Sequence, residues 1–444
     1  MEANTEPKTI LYAGIDFSQK RADVCVLRAD GEVLDAHQGF ANSLPGYHQA
    51  QAYLSAWLPA QGADGLRVAC EATGYYWLPF FLQLVQDPAW REPGRRLEVY
   101  VHNARQVHWF KQSAGQDDKS DATDPYYIAE QLRTRRRAFA WSPQIAWLTL
   151  RFYTRLQFHL MQALVREKNY AQAYLFLQHS AYATLKPFAD VFGATSRRIL
   201  AGAPSLETLA TLPLAELTAR LDALSGHQLP DPEDNARKLQ RVWTDSFPLP
   251  SVLEEPLQRL LQTTLDHVRF LEQQRQQVEQ WIAQEVAQAH PEVQCLDSIP
   301  GVGLGWAAGI TAEIGDLTRF FDGQKWDARH KRWRAKTLRD VEDAVARFAG
   351  LWWPRGDSGD FVAADRRLSK RGNRYLRYYL IQAADSLRRT LPDYTAYYRR
   401  KFREVTKHQH KRALVLTARK SVGLYVGLLH RQESYRAPEA DAAT

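Results

Sequence analysis

Cysteine is scarce in this 444-residue chain: Cys25, Cys70 and Cys295 are odd in number, far apart and form no CxxC pair. That spacing excludes a disulfide framework and a thiolate zinc site, and it implies a reducing compartment. Long apolar runs are lacking too, since none approaches the roughly 18 residues that a bilayer-spanning helix needs. The opening MEANTEPKTI has neither a basic nor an apolar segment, so no secretory signal is expected. These absences predict a soluble cytoplasmic protein with no membrane partner.

What is present is a globular composition, 45% hydrophobic, 24% charged and 11% aromatic. The length allows two or three domains of about 100–200 residues each. The net charge of +8 is unevenly spread: residues 291–444 hold 29 Lys and Arg against 18 Asp and Glu, a surplus of eleven. The first 290 residues are therefore slightly acidic. Such asymmetry points to a polyanion partner, with nucleic acid first.

Three short strands are expected in TILYAGIDF, RADVCVLRA and GEVLDAHQGF, separated by turns at Ser18–Gln19–Lys20 and Asp30–Gly31. A helix over LPGYHQAQAYLSAWLPA, the strand LRVACE, a helix from about Tyr75 to Val85, the strand RLEVYVHN and a helix near Asn103 follow. That order is α/β. From Trp141 the pattern turns helical for about 150 residues. Leu257, Leu261, Val268, Leu271, Val278, Ile282 and Val286 draw a heptad seam interrupted at Thr264 and Arg275. An amphipathic hairpin and an intermolecular coiled coil both fit. The expected domains are 1–138, 139–290 and 291–436, the last mainly helical.

Carboxylates mark the α/β part. Asp16 closes the first strand and Glu71 the fourth, where ligands of such sheets collect. Asp117, Asp118, Asp121 and Asp124 cluster before a helix, and Asp121 and Asp124 are spaced to share a face within a helical turn. Carboxylates this close repel one another, and a divalent ion removes the conflict. Singly, each has a plainer reading as a turn cap, a helix cap or a first-turn acid that favours the helix dipole. Pro125 pushes Asp124 away from helical geometry, so the helix starts either at Pro125 with Asp124 as its cap or from Ser120. Together, a first-strand Asp, a fourth-strand Glu and an Asp-x-x-Asp match the layout of an RNase H-like nuclease fold of the RuvC type.

On these residues the chain resembles transposases of the insertion sequence 110 family, the DEDD-type recombinases. At the N-terminus the resemblance rests on GIDFSQKRADVCVL, EATGYYWLPF, VHNARQVHWFKQS and KSDATDPYYIAE. At the C-terminus it rests on LDSIPGVGLGWAAGITAEIGDLTRF, FAGLWWPRGDSGD and LSKRGNRYLRYYLIQAA. It implies an RNase H-like (RuvC-type) α/β domain, a coiled-coil middle and a helical C-terminal transposase domain. Asp16, Glu71, Asp121 and Asp124 would then be metal ligands for two Mg²⁺, with Mn²⁺ as substitute. Here the family's KTD-x-x-DA reads KSDATDP, with Pro125 in place of alanine; Asp117 and Asp118 fall outside the pattern. Ser358 in RGDSGD matches the family's nucleophile, which implies a covalent phosphoserine intermediate. The resemblance also implies donor and target DNA, a structured guide RNA encoded by the element, and a homodimer assembling into a homotetramer.

Basic stretches supply candidate nucleic-acid contacts. LRTRRRAFAW places Arg133, Arg135, Arg136 and Arg137 beyond the acids. SIPGVGLG resembles a helix-hairpin-helix turn in which Gly301 and Gly303 let backbone N–H groups approach phosphate. Lys370, Arg371, Arg374 and Arg377, with Asn373 among them, are expected along successive helical turns. KWDARHKRWRAKTLR interrupts the family pattern, and its Lys331, Arg332 and Trp333 suggest a nucleic-acid contact peculiar to this chain, a solvated insertion being the alternative. Rival readings are a hydrolytic Holliday-junction or RNase H-type nuclease, which needs the four acids but not Ser358, and a sugar kinase or actin-like ATPase, whose later phosphate loops are missing.

Overall fold

A computed structural model of the chain describes residues 9–92, 95–115, 123–134, 141, 145–200, 206–327, 329–354 and 368–437. The chain divides into two compact units, residues 1–143 and 144–444. The first is an α/β sheet domain, and the second is mainly helical.

Five strands form the sheet of the first unit: β1 (Ile10–Phe17), β2 (Arg21–Leu27), β3 (Val33–Ala41), β4 (Gly65–Glu71) and β5 (Arg96–His102). Their order is β3-β2-β1-β4-β5. The first three form an antiparallel meander, and β4 and β5 run parallel to β1. Parallel pairing requires crossovers, supplied by α1 (Leu44–Ala60) and α2 (Leu78–Gln86). Helices α3 (Ala104–Ser113) and α4 (Asp124–Thr134) complete the unit.

Strand alternation sends successive residues to opposite faces. Leu11, Ala13, Ile15 and Phe17 pack with Tyr47, Leu54, Phe80 and Phe81 of α1 and α2. Tyr12, Cys25, Leu27, Ala69 and Tyr100 pack on the other face with Val107 of α3 and Ile128, Ala129 and Leu132 of α4. Gly14 belongs to this second face, and a Cβ there would collide with the carbonyl oxygen of Pro125 and the backbone N of Ala129. A side chain at position 14 would hold α4 off the sheet. Glycine lets the first turn of α4 lie directly on β1.

In the second unit α5 (Ile145–Gln178) and α11 (Ser251–Ala289) run antiparallel. Leu150 shares a core cluster with Val278, Ile282 and Val286, while Leu164, Ala171 and Leu175 share another with Leu261, Leu265 and Val268. The heptad seam thus faces a partner helix of the same chain. Thr264, read as a break in the seam, is buried and donates its hydroxyl to the Leu260 carbonyl, while Arg275 pairs with Glu279 at 3.0 Å. The far end of this pair carries five short helices, α6 (Tyr182–Leu185), α7 (Ala194–Leu200), α8 (Leu206–Ala210), α9 (Leu214–Ser225) and α10 (Pro232–Asp245).

The near end is the C-terminal core: α12 (Val293–Asp297), α13 (Leu304–Ile314), the hairpin β6 (Gln324–Asp327) and β7 (Arg332–Ala335), α14 (Leu338–Phe348), α15 (Arg374–Thr390), α16 (Pro392–Arg403) and α17 (Gln409–Arg431). It is stitched to α5 by polar contacts. Arg155 grips the buried Glu313 with bonds of 2.7 and 3.0 Å, Asn373 donates to the same carboxylate at 2.6 Å, and Arg151 donates to the Ala312 carbonyl. A buried carboxylate is tolerated when its lone pairs are filled in this way.

Candidate active site

The acids meet at the C-terminal end of the parallel strands. Ile15 lies level with Cys70, so Asp16 and Glu71 follow side by side on β1 and β4, and Asp16 lies two residues beyond Gly14 on the face that α4 covers. Glu71 is in turn level with His102, and the Ala72 amide donates to the His102 carbonyl at 2.9 Å. Asp124 is the first residue of α4. With Pro125 in its first turn, the helix needs no amide at that position, and the Pro125 carbonyl rests against Gly14. The first turn of α4 thus abuts β1 through its backbone, with Asp124 at its start, and Pro125 is compatible with that position.

The neighbouring acids act on one another. The Glu71 carboxyl is pushed up to about 7, first by burial and then by the negative charges of Asp16 and Asp124. Thr73 and Lys111 act in the opposite sense without cancelling the shift. Lys111 of α3 is buried, ion-pairs with Asp124 and lies 5.7 Å from the centre of the Tyr127 ring. This lysine was not read from the sequence. Its signal was the four-residue spacing from Val107, which places both on the buried face of α3. Nearby, the Asn42 amide donates to the carbonyls of Ser18 and Tyr76, tying the β1–β2 turn to the loop after β4. Tyr75 and Tyr76 in that loop are about half exposed.

Among the described residues, no three His, Cys, Asp or Glu side chains converge closely enough to hold an ion. The donor chemistry nevertheless suits a hard divalent cation: carboxylate oxygens, a residual negative charge that raises Glu71, and an ammonium already drawn onto Asp124. Asp121 and Ser358 lie outside the described residues, as do Asp117, Asp118, Arg135, Arg136 and Arg137.

The other basic candidates divide into those used within the fold and those at the surface. Arg133 is held by Glu130 at 2.6 and 2.7 Å and by the Ala29 carbonyl. Arg377 donates to the carbonyls of Ala349 and Lys370. Asn373 caps α15, accepting from the amides of Tyr375 and Leu376. The helix therefore starts at Arg374, and Lys370 and Arg371 precede it rather than occupying earlier turns. Left-handed Lys370 (φ 53°) and Gly372 (φ 139°) break the helical path before the cap. Arg374 is exposed, its guanidinium 4.8 Å from the Tyr375 ring centre. Gly301 (φ 88°) is turned onto α15, where a Cβ would crowd Ser386 and Thr390, while Gly303 opens α13 with free space beside it. Lys331, Arg332 and Trp333 lie on the exposed β6–β7 hairpin.

Residues 13–179, which hold Asp16, Glu71 and Asp124, match the family model of the DEDD transposases of insertion sequence 110, described as "Transposase". Residues 336–399 match a second model, described as "Transposase IS116/IS110/IS902 family". No match was found among curated proteins. The two matched segments together span just over half of the chain, which is a transposase of the insertion sequence 110 family.

Proposed function

We propose that the chain recombines DNA at the ends of its mobile element by metal-assisted transesterification through a covalent phosphoserine intermediate. The observation that carries this reading is the side-by-side placement of Asp16 and Glu71 at the ends of β1 and β4, with Asp124 close enough to act on Glu71, inside the segment that matches the DEDD model. The strand order β3-β2-β1-β4-β5, with only the first three strands antiparallel, supports an RNase H-like domain of the RuvC type.

Asp16, Glu71 and Asp124, joined by Asp121, would hold two Mg²⁺ ions, which supply charge neutralisation at a scissile phosphate and a lowered pKa for the attacking hydroxyl. The chain supplies the rest. The sheet fixes Asp16 and Glu71, the contact of Pro125 with Gly14 fixes Asp124, and Lys111 steadies its carboxylate. Ser358 Oγ forms a bond to phosphorus as the phosphorus bond to the deoxyribose oxygen breaks, and that oxygen takes up a proton. The ester count is conserved, so no water or nucleotide is consumed. Attack by a second DNA hydroxyl reverses the bond and completes strand exchange.

The surplus of eleven positive charges in residues 291–444 supports binding to donor and target DNA and to a guide RNA encoded by the element. Synapsis of two DNA partners calls for a dimer of dimers. The test is Ser358→Ala on a plasmid carrying the element ends with Mg²⁺ present. Loss of both the protein–DNA adduct and recombination is expected. Recombination that survives without an adduct would overturn the serine intermediate, and cleavage without rejoining or adduct in the parent protein would favour a hydrolytic nuclease.

A further inference from the structure

The β6–β7 hairpin precedes the C-terminal matched segment, and nothing in either family match assigns it a role. Its register pairs Lys325 with Arg334 and Trp326 with Trp333. Alternation puts these pairs on opposite faces of the two-stranded ribbon. The Lys325–Arg334 face is clamped down. Lys325 Nζ lies 2.5 Å and an Arg334 terminal nitrogen 2.6 Å from the carboxylate of Asp340, which is buried at 7% exposure. Asp340 also accepts from the amide and hydroxyl of Thr337, completing the capping box of α14. The ribbon is thus fastened to α14 through one face.

The opposite face carries the two indoles. Trp326 is 47% exposed and Trp333 50%, with ring centres 5.5 Å apart at 64°. Two adjacent tryptophans left half in water on one face of a short ribbon make an exposed aromatic patch, the kind of surface that marks an interaction site. The rim is cationic. Arg329, Lys331 and Arg332 are exposed around the turn, and residues 325–339 contain seven Lys and Arg against one acid, Asp327. Asp327 is itself engaged, 2.8 Å from the His330 ring and accepting from the Arg329 amide at 3.1 Å.

We infer that the β6–β7 ribbon is a stacking platform for unpaired nucleotides: Trp326 and Trp333 take base faces while Arg329, Lys331 and Arg332 follow the flanking phosphates. A rim of a single positive sign complements a polyanion, and exposed indole faces complement unpaired bases. A duplex hides its base faces within its own stack, whereas a single strand presents them, and every base has such a face. Single-stranded DNA and single-stranded RNA share this chemistry. The inference needs neither the acid cluster nor Ser358.

Fluorescence anisotropy of the full-length protein tests it, with short labelled pyrimidine-rich oligonucleotides as single-stranded DNA, single-stranded RNA and duplex, at fixed salt. The double variant Trp326→Ala, Trp333→Ala should weaken single-strand binding about tenfold or more and leave duplex binding nearly unchanged. The Trp326→Phe, Trp333→Phe pair should recover most of the loss, which a collapsed ribbon would not allow. The single strand that loses more, DNA or RNA, identifies the natural source. Unchanged single-strand affinity in the alanine variant would overturn the inference, as would equal losses for single strand and duplex.

Discussion

Asp124 and Asp340 each take a lysine ammonium, yet their surroundings are opposite in sign. Around Asp340 two cations and two Thr337 donors meet one carboxylate, and the acid is held well below the usual carboxylate range, first by the Arg334 bond. Around Asp124, among the described residues, one lysine faces the carboxylates of Asp16, Glu71 and Asp124, and Glu71 ionises reluctantly, first through its burial and then through the two neighbouring acids. The first arrangement is saturated and fastens a ribbon to a helix. Among the described residues, the second is left with a net negative balance, which a divalent cation would offset. An acid's contribution is read from the charge balance around it rather than from the acid itself.

The contrast can be broken most severely at Gly14. Gly14→Ala should push α4 from β1, lowering stability by about 1–3 kcal/mol by chemical denaturation and disassembling the acid cluster, so recombination is lost with it. Next come paired substitutions of opposite sign. Asp340→Asn leaves Lys325 and Arg334 short of a counter-charge and should cost about 1–3 kcal/mol. Glu71→Gln, measured without divalent ions at pH 8, should instead stabilise by roughly 1 kcal/mol after solvent screening, because it removes a half-buried charge and its repulsion from Asp16 and Asp124. Equal signs would dissolve the comparison. Lys111→Met sharpens it: the variant should melt lower in chelator and gain more from added Mg²⁺ than the parent does.

A last effect, absent at neutral pH, comes from a group shifted by burial alone. His179, beside Trp243 in the helical extension, is lowered to about 4. The unfolded chain therefore binds the proton first, and stability should fall as pH drops from about 6.5 towards 4. His179→Gln should flatten that part of a melting-temperature profile.

Much of the first unit was legible. The LRVACE strand ended on Glu71 and the GIDF strand one residue past Asp16, on Phe17, and the α1 boundaries match the apolar pattern because Ser43 caps the helix through its side chain. Lys111 was not legible, since a lysine within an amphipathic helix reads as solvated until the acids it faces are located across the sheet. The start of α15 was misread because the basic run continues through Gly372, and only the Asn373 cap marks the true beginning. The hairpin over 324–335 escaped notice because its alternation is short and its inward face is charged. Lys325 and Arg334 point towards a carboxylate supplied by the next helix, so no apolar face announces the strand.

The most direct measurement is calorimetric titration of Mg²⁺ or Mn²⁺ into the full-length protein, comparing the parent with Glu71→Gln and Asp124→Asn. Saturable binding in the parent that weakens by an order of magnitude or more in both variants is the predicted result, since each removes a carboxylate from the cluster. Equal affinity in all three proteins would contradict the account and leave Asp16, Glu71 and Asp124 as a purely structural group of acids.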